Sequence, residues 1–278
     1  MNMQCRLSVL PVSLYEKIVS GEITLHDWMK NAKRLGLDAA DISTVMLKEH
    51  TPVYLNRVNR LIDEIGIPIA MASAYPDFTH PDALQREREL EYLRRDIAMC
   101  SELRLQYVRV LAGQAHLETS REEGIRWAVE MLRRAAVTAA KFGVTLVYEN
   151  HFKPTVWEYA DFSFPIDIFL EIALKIKGSG VKLNFDTGNV TALGLDPIPI
   201  LKKIYPDVAT VHISDMAELG KFAPVVIGTG VTPNKEILAY LKQQGFNGLV
   251  CIEEASGTGY DGIRKAVEFV RSAWEEAL

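Results

Sequence analysis

The sequence predicts an α/β protein built as a single (β/α)8 barrel, and three observations support this prediction. The chain has 278 residues, of which 48% are hydrophobic and 24% are charged, and one α/β barrel of about 250 residues fits within that length. Short runs rich in β-branched residues alternate eight times with longer stretches of helical periodicity. The composition shows no break along the chain, so we expect residues 1–278 to form one barrel domain.

Eight short apolar segments are predicted to be strands. They span residues 5–10, 39–44, 67–72, 107–111, 144–148, 181–185, 208–213 and 249–253. Each is followed by a segment with the 3.6-residue period of an amphipathic helix. These segments span residues 25–35, 53–65, 81–103, 122–142, 165–176, about 198–205, 234–244 and 260–277. Repeated strand–helix units predict a parallel sheet covered by helices.

Glycines precede several predicted strands, where the preceding helix must end. They are Gly36, Gly66, Gly143, Gly180, Gly245 and Gly248. Glycine is typical of helix ends because it adopts positive φ at low cost. The first strand is followed by Leu10-Pro11-Val12-Ser13-Leu14 and not by the GxGxxG turn of dinucleotide-binding folds, so a closed barrel is favoured over a Rossmann sheet.

Charge and cysteine content exclude several classes of function. The net charge is −5 and no Lys/Arg-rich run occurs, which argues against a nucleic-acid partner. Cys5, Cys100 and Cys251 are far apart and match no disulfide or CxxC spacing. No apolar stretch is long enough for a membrane helix, and the amino terminus lacks the apolar segment of a secretory signal. We therefore expect a cytoplasmic protein without a membrane partner, and homo-oligomerisation is left open.

Metal-capable side chains end four consecutive predicted strands on the face that points into the barrel. In the fifth strand, Leu146 and Tyr148 share one face, so Glu149 lies on the opposite, interior face. The same alternation places Asp186, His212 and Glu253 on the interior face of the next three strands. Barrel chemistry is assembled at the carboxyl ends of the strands, so these four side chains are predicted to meet at the barrel mouth.

The predicted cluster of three carboxylates and one imidazole suits one divalent ion. Oxygen and nitrogen ligands of this mixture accept Mn²⁺, Co²⁺, Mg²⁺ or Zn²⁺, and Mn²⁺ is our first expectation. A single strand-end carboxylate is more often a helix cap or a surface charge, and a lone histidine is usually a hydrogen-bonded core residue. Four such residues at equivalent positions favour a metal site over these alternatives.

Four stretches carry a resemblance to a known family. They are Leu146-Val147-Tyr148-Glu149-Asn150-His151, Asn184-Phe185-Asp186-Thr187-Gly188-Asn189, Val211-His212-Ile213-Ser214-Asp215 and Cys251-Ile252-Glu253-Glu254. In order and type the chain resembles the xylose-isomerase-like TIM-barrel superfamily of sugar-phosphate isomerases and epimerases. The resemblance implies that Glu149, Asp186, His212 and Glu253 bind one divalent metal. It also implies that Glu149 and Glu253 move protons.

The chain departs from the family at one informative position. Ketose 3-epimerases of this group carry Asp-x-x-His after the sixth strand, whereas this chain has Asp186-Thr187-Gly188-Asn189. Asn189 does not titrate, but its amide can donate a hydrogen bond to a substrate hydroxyl. The endonuclease-IV-like members hold three zinc ions with additional His and Asp ligands. Those ligands are missing from this sequence, which contains six histidines.

Three further residues are candidates for catalysis or substrate binding beside the metal. His151 is a candidate general acid or base, because an unperturbed imidazole titrates near neutral pH; orienting the substrate or Glu149 is the alternative. Asp215 either lies behind the metal and contacts substrate or caps the following loop. Trp157 belongs to an aromatic-rich loop that either lines the substrate pocket or packs on itself. The glycine-rich segment 256–259 precedes the last predicted helix, and barrels often bind phosphate at such a helix amino terminus. A phosphorylated substrate therefore stays an alternative.

Three charged residues share interior parity on their strands. Lys182, Arg109 and Asp41 are predicted to form a buried ion network low in the barrel, because buried charges must pair.

The predicted activity is isomerisation or epimerisation of a sugar, a sugar acid or a sugar phosphate through a metal-stabilised enediolate. The first alternative is a lyase or dehydratase that acts on a keto-sugar or keto-glycoside. It would expel water or a glycosyl group from the same intermediate, with His151 as the acid or base. The second alternative is a noncatalytic sugar-binding subunit, which the complete four-ligand set disfavours. In the first two cases the partner is a small-molecule carbohydrate.

Overall fold

Eight parallel strands close into a barrel in which each strand pairs with its neighbours in chain order. The computed structural model describes residues 5–277, and the predicted (β/α)8 TIM barrel is confirmed. Residues 1–4 and 278, the ends of the predicted domain 1–278, lie outside the described residues.

The strands agree with the predicted segments to within two residues at either end. They are β1 Arg6–Leu10, β2 Ala39–Ser43, β3 Ile69–Ser73, β4 Tyr107–Val110, β5 Thr145–Glu149, β6 Lys182–Asp186, β7 Val208–Ile213 and β8 Leu249–Glu253. Strand β8 pairs back with β1, where Glu253 lies opposite Leu10. Strands β5 and β6 run one residue further than predicted, so that Glu149 and Asp186 are their last residues.

Ten α-helices surround the barrel in the described residues. They are α1 Tyr15–Ser20, α2 Leu25–Arg34, α3 Pro52–Ile65, α4 Ala83–Glu102, α5 Arg121–Phe142, α6 Ile166–Ile176, α7 Thr187–Ala192, α8 Pro197–Ile204, α9 Asn234–Gln243 and α10 Tyr260–Glu276. Three 3-10 turns, Val12–Leu14, Thr44–Met46 and Tyr205–Asp207, complete the connections. The sequence did not predict α1 and α7, because six residues are too few to show a helical period.

Side chains on alternate strand positions fill two separate apolar layers. Leu146 and Tyr148 pack outwards against the helices, whereas Val147, Leu249 and Cys251 pack together inside the barrel. This sorting is the one that strand alternation predicted, and it directs the last interior residue of each strand into the mouth. Every helix in residues 5–277 is too short or too polar to cross a bilayer.

The predicted ion network low in the barrel is wrong. Lys182 is exposed, because it is the first residue of β6 and its long side chain reaches water at the barrel end. The carboxylate of Asp41 accepts hydrogen bonds from Ser8 Oγ and from the backbone N–H of Met71. Arg109 is buried, but it points to the mouth and pairs with Glu149.

Two glycines flank the turn from α9 into β8 for different reasons. Gly245 has φ +69°, and a Cβ added there would meet no atom within 4 Å. Gly248 was expected to share this backbone conformation, but it has no positive φ. A Cβ at Gly248 would lie 2.2 Å from the carbonyl oxygen of Ala209. Close approach to the β7 backbone therefore requires glycine at position 248.

We expect Gly248→Ala to destabilise the fold more than Gly245→Ala. The first substitution pushes a methyl group into a backbone carbonyl and should lower the free energy of unfolding by about 3 kcal/mol. The second only imposes a left-handed backbone on alanine, at about 1 kcal/mol. Urea unfolding of both variants measures the difference, and equal losses would contradict the steric explanation.

Candidate metal centre

Barrel closure brings the four predicted ligands together at the mouth. Glu149, Asp186, His212 and Glu253 each offer one ligand atom, and these atoms all lie within 4.8 Å of one another. Asp186 and His212 are direct neighbours in the register of β6 and β7. Glu254, the next residue of the chain, is not part of this group, and its Oε1 accepts a hydrogen bond from the backbone N–H of Ser256.

The atoms at the centre of the cluster fit a divalent ion. His212 Nδ1 lies 2.7 Å from Oε1 of Glu149 and 2.7 Å from Oε2 of Glu253. Although both atoms are buried and close together, the contact between His212 Nδ1 and Glu253 Oε2 lacks the alignment of a hydrogen bond. Buried polar atoms without partners are costly, and a cation among three carboxylates and an imidazole would satisfy them. The residues present therefore suit the predicted ion.

Neighbouring side chains hold Glu149 in one orientation. Its Oε2 lies 2.9 Å from Nε of Arg109, and its Oε1 accepts a hydrogen bond of 2.7 Å from Nδ2 of Asn184. Thr210 Oγ1 donates in turn to Oδ1 of Asn184 at 2.7 Å. The sequence did not assign Arg109 or Asn184 to the site, although the interior parity of Arg109 was a usable signal.

Asp186 belongs to the cluster and also caps a helix. Its Oδ1 accepts the backbone N–H of Asn189 at 2.6 Å, which starts α7. Ser214 Oγ donates to the same carboxylate at 2.9 Å. Asp186 is therefore a helix cap, which is the common role of a strand-end aspartate, and it is also one of the candidate ligands. The cap fixes the carboxylate relative to α7.

Crowding of the carboxylates sets their protonation. Burial, reinforced by the charges of Glu253 and Glu149, raises the pKa of Asp186 well above its usual range. Burial also opposes ionisation of Glu149, but Arg109 and His212 outweigh it and hold the pKa of Glu149 at about 2. For His212, burial is outweighed by the Glu149 charge, which raises the pKa of the imidazole well above 6.5. In the absence of an ion, both raised pKa values favour the protonated forms of Asp186 and His212.

His151 lies two residues beyond Glu149, and it is buried. Its Nδ1 has no hydrogen-bond partner. Burial lowers the pKa of this imidazole to about 4, so His151 is neutral near pH 7.

Asp215 anchors the loop that follows β7. Its Oδ1 accepts the backbone N–H groups of Met216 and Thr232, at 3.0 and 3.1 Å. Its Oδ2 accepts those of Gly228 and Gly230, both at 2.9 Å. The loop-capping alternative therefore describes the observed contacts of this carboxylate.

The other predicted substrate contacts differ in whether they line the cavity beside the cluster. A small cavity at the mouth is bordered by Asp186 and Glu253, and Asn189 and Asp215 also line it. Asn189 Nδ2 donates to the carbonyl oxygen of Asn150 at 3.2 Å. Trp157 is buried in the loop after β5 and is not among the residues that line this cavity.

Comparison with known proteins agrees with the geometry of the mouth. Residues 29–273 match the family model described as xylose isomerase-like TIM barrel. The chain belongs to this family. The predicted class, an enzyme of the isomerase and epimerase type, is thereby confirmed at a coarse level.

Individual relatives span nearly the whole chain. L-ribulose-5-phosphate 3-epimerase UlaE of Shigella flexneri serotype 5b is 28% identical over 292 residues, which cover 96% of each protein. The solved structure of the IOLI protein with a binding zinc atom has a TM-score of 0.80 at 18% identity and covers 98% of this chain and 99% of its own. The probable 3-DHS dehydratase AsbF of Bacillus anthracis has a TM-score of 0.77 at 15% identity, covering 96% and 98%. The two structural likenesses concern the fold alone.

We expect ion binding to release protons. The raised pKa values of Asp186 and His212 favour their protonated forms, and these protons must leave before either side chain acts as a ligand, so Mn²⁺ binding should release protons. Protons compete with the ion, and its affinity should therefore fall as the pH is lowered. Calorimetric titrations in two buffers of different ionisation enthalpy count the released protons. Equal heats in both buffers would show that the ligands are already deprotonated.

We expect His212→Ala to lose the ion and keep the fold. The imidazole lies at the mouth rather than in the packed layers, so its removal takes away a ligand without opening the main core. Elemental analysis of the metal-reconstituted variant measures occupancy, and circular dichroism monitors the fold. Glu268→Gln, on the exposed surface of α10, is the control and should retain full occupancy. Unchanged metal content in His212→Ala would remove this residue from the ligand set.

Proposed function

We propose that the protein is a divalent-metal-dependent isomerase or epimerase that acts on a small keto- or aldo-sugar or sugar acid. One observation carries the proposal: Glu149 and Glu253 each approach Nδ1 of His212 to 2.7 Å at the barrel mouth. Two of the four candidate ligands are therefore neighbouring carboxylates, and such a pair can remove a proton and return it.

A bound ion would be held by Glu149, Asp186, His212 and Glu253, and we favour Mn²⁺. When bound, it supplies Lewis-acid stabilisation of the negative charge that develops on the substrate oxygens when a proton leaves the adjacent carbon. The family membership supports this assignment, as does the zinc atom named for the related IOLI structure.

The two glutamates have unequal surroundings that suit separate tasks. Glu253 lines the cavity, and 14% of its side chain is exposed. Glu149 is fully buried and fixed by Arg109 and Asn184. In the proposed mechanism Glu253 exchanges a proton with the carbon that faces the cavity, and Glu149 exchanges one from its own side of the cluster. Removal by one carboxylate and return by the other inverts a stereocentre, which is the outcome of epimerisation.

The relatives support a sugar substrate. UlaE of Shigella flexneri is named an L-ribulose-5-phosphate 3-epimerase, and the solved structures of similar fold include an L-ribulose 3-epimerase. We also propose a cytoplasmic location, in keeping with the free thiols of Cys5, Cys100 and Cys251.

A second candidate is a lyase or dehydratase that uses the same centre. The observation that favours it is the buried, neutral His151, whose Nδ1 has no partner in the described residues. One of the two glutamates could remove the proton next to the carbonyl, and His151 could pass it to the group that leaves the neighbouring carbon with its bonding electrons.

Proton exchange with solvent distinguishes the two functions. Metal-loaded protein is incubated in D₂O with L-ribulose, a 3-keto-glucoside or an inosose, and the products are followed by NMR. Deuterium at the carbon next to the carbonyl, with every substituent retained, supports the isomerase or epimerase. Release of water or of the aglycone supports the lyase. Chelator-treated protein is the control, and full activity without metal would overturn both mechanisms.

We expect Glu253→Gln and His151→Ala to separate the roles of these residues. The glutamine keeps the size and one ligating oxygen of Glu253 but removes the base, so the exchange rate should fall by about 10² to 10⁴. His151→Ala should lower the exchange rate far less under the epimerase mechanism. Deuterium exchange measured by NMR checks both. If His151→Ala still exchanges the proton but forms no product, elimination replaces epimerisation as the function.

A further inference from the structure

The loops after β7 and β8 have the composition of phosphate-binding loops. In (β/α)8 barrels these two loops and a following helix amino terminus commonly bind a substrate phosphate through backbone N–H groups. In this chain the loops contain Gly228-Thr229-Gly230 and Ser256-Gly257-Thr258-Gly259. Whether their N–H groups are available therefore bears on the class of substrate.

An internal carboxylate already uses the N–H groups of the first loop. The four backbone N–H groups that converge in the loop after β7 all donate to Asp215, at 2.9 to 3.1 Å. A Cβ added at Gly230 would lie 2.3 Å from Oδ1 of Asp215, so backbone and carboxylate are in close contact. Asp215 is buried. The carboxylate of Asp215 thus occupies the backbone N–H groups that a phosphate would need.

A second internal carboxylate fills the loop after β8. Oε1 of the buried Glu254 accepts the backbone N–H of Ser256 at 3.0 Å and also its hydroxyl. A Cβ at Gly262 would lie 2.7 Å from this oxygen, so the carboxylate lies against the first turn of α10. The N–H of Gly257 donates to Ser13 Oγ at 2.8 Å, and that of Thr258 to Ser256 Oγ at 3.2 Å.

The cations nearest to this helix terminus are also engaged. Arg264 pairs with Asp261 and Glu268, both at 2.8 Å, and Lys265 pairs with Asp261 at 2.7 Å. A phosphate at the start of α10 would therefore meet Glu254 and Asp261 as like charges, while both cations already have carboxylate partners.

We propose that Asp215 and Glu254 take the place of a substrate phosphate, and that the enzyme acts on an unphosphorylated sugar or sugar acid. This inference rests on the proposed function and deepens it. The relatives named for L-ribulose 5-phosphate favour the opposite outcome, whereas in this chain the side chains of Asp215 and Glu254 occupy backbone N–H groups of both loops.

The test compares one sugar with and without its phosphate. L-ribulose and L-ribulose 5-phosphate share the same carbonyl and hydroxyl groups near the ion, so contacts with the centre largely cancel. Affinities for the metal-loaded protein are measured by calorimetry, and kcat/KM by NMR. We expect the phosphate ester to be weaker by about tenfold in both quantities, since it must approach fixed like charges. Equal or tighter binding of the phosphate ester would overturn the proposal.

Glu254→Gln tests the cause. The amide keeps the shape of the side chain and removes its charge, so the disadvantage of the phosphate ester should shrink by about threefold or more. Glu275→Gln, also exposed on α10 but near the carboxyl end of the helix, is the matched control and should leave the ratio of affinities unchanged. A ratio unaltered by Glu254→Gln would contradict the role of this carboxylate. If the variant fails to fold, the comparison on the unaltered protein still decides the proposal.

Failure of the proposed function gives a different result. If neither sugar is turned over, the epimerase assignment falls. The ratio of the two affinities does not depend on turnover, and it continues to measure whether a phosphate is accepted.

Discussion

The structure depends on placing three carboxylates and an imidazole within 4.8 Å of one another in a site that is almost closed to water. Like charges this close destabilise a barrel mouth unless opposite charge is supplied. Arg109 supplies one permanent positive charge beside Glu149. The crowding also raises the pKa of Asp186 and of His212 and so favours their protonated forms, and a divalent ion can take the place of these protons. Arg109 neutralises only part of the negative charge of the carboxylates, and the remaining charge favours a bound cation and the chemistry that it supports.

The surrounding hydrogen bonds orient each acidic group. Asn184 and Thr210 form a chain that ends on Glu149, and Ser214 and the start of α7 fix Asp186. Glu253 lacks comparable supports among the described residues and contacts His212 alone within the cluster. A ligand that is also exposed to the cavity retains the freedom to exchange a proton. Carboxylates held by hydrogen bonds, together with one that is exposed to the cavity, suit a reaction that must both hold an ion and move hydrogen.

Membership of the family assigns the scaffold, and side chains at the mouth adapt it. The barrel can host epimerases and dehydratases alike because its strand ends are fixed while its loops vary. In this chain, His151 and Asn189 adjoin the cluster, and Asp215 and Glu254 tie down the loops on its other side. Under the proposed function, the selection between isomerisation and elimination would lie in a few residues beyond the four candidate ligands.

The sequence by itself determined the barrel, its eight strands and the four residues that meet at its mouth, because two-residue alternation and strand order are local properties that a closed parallel sheet converts directly into position. It did not reveal that Arg109 pairs with Glu149, that Lys182 is exposed, or that Asp186 starts α7. It left open whether Asp215 caps its loop or contacts substrate. These features depend on side-chain reach, on burial and on contacts between residues far apart in the chain. Only the tertiary structure decides them. Strand parity predicts the face of the strand on which a side chain lies, but it does not predict which residue that side chain contacts across the barrel.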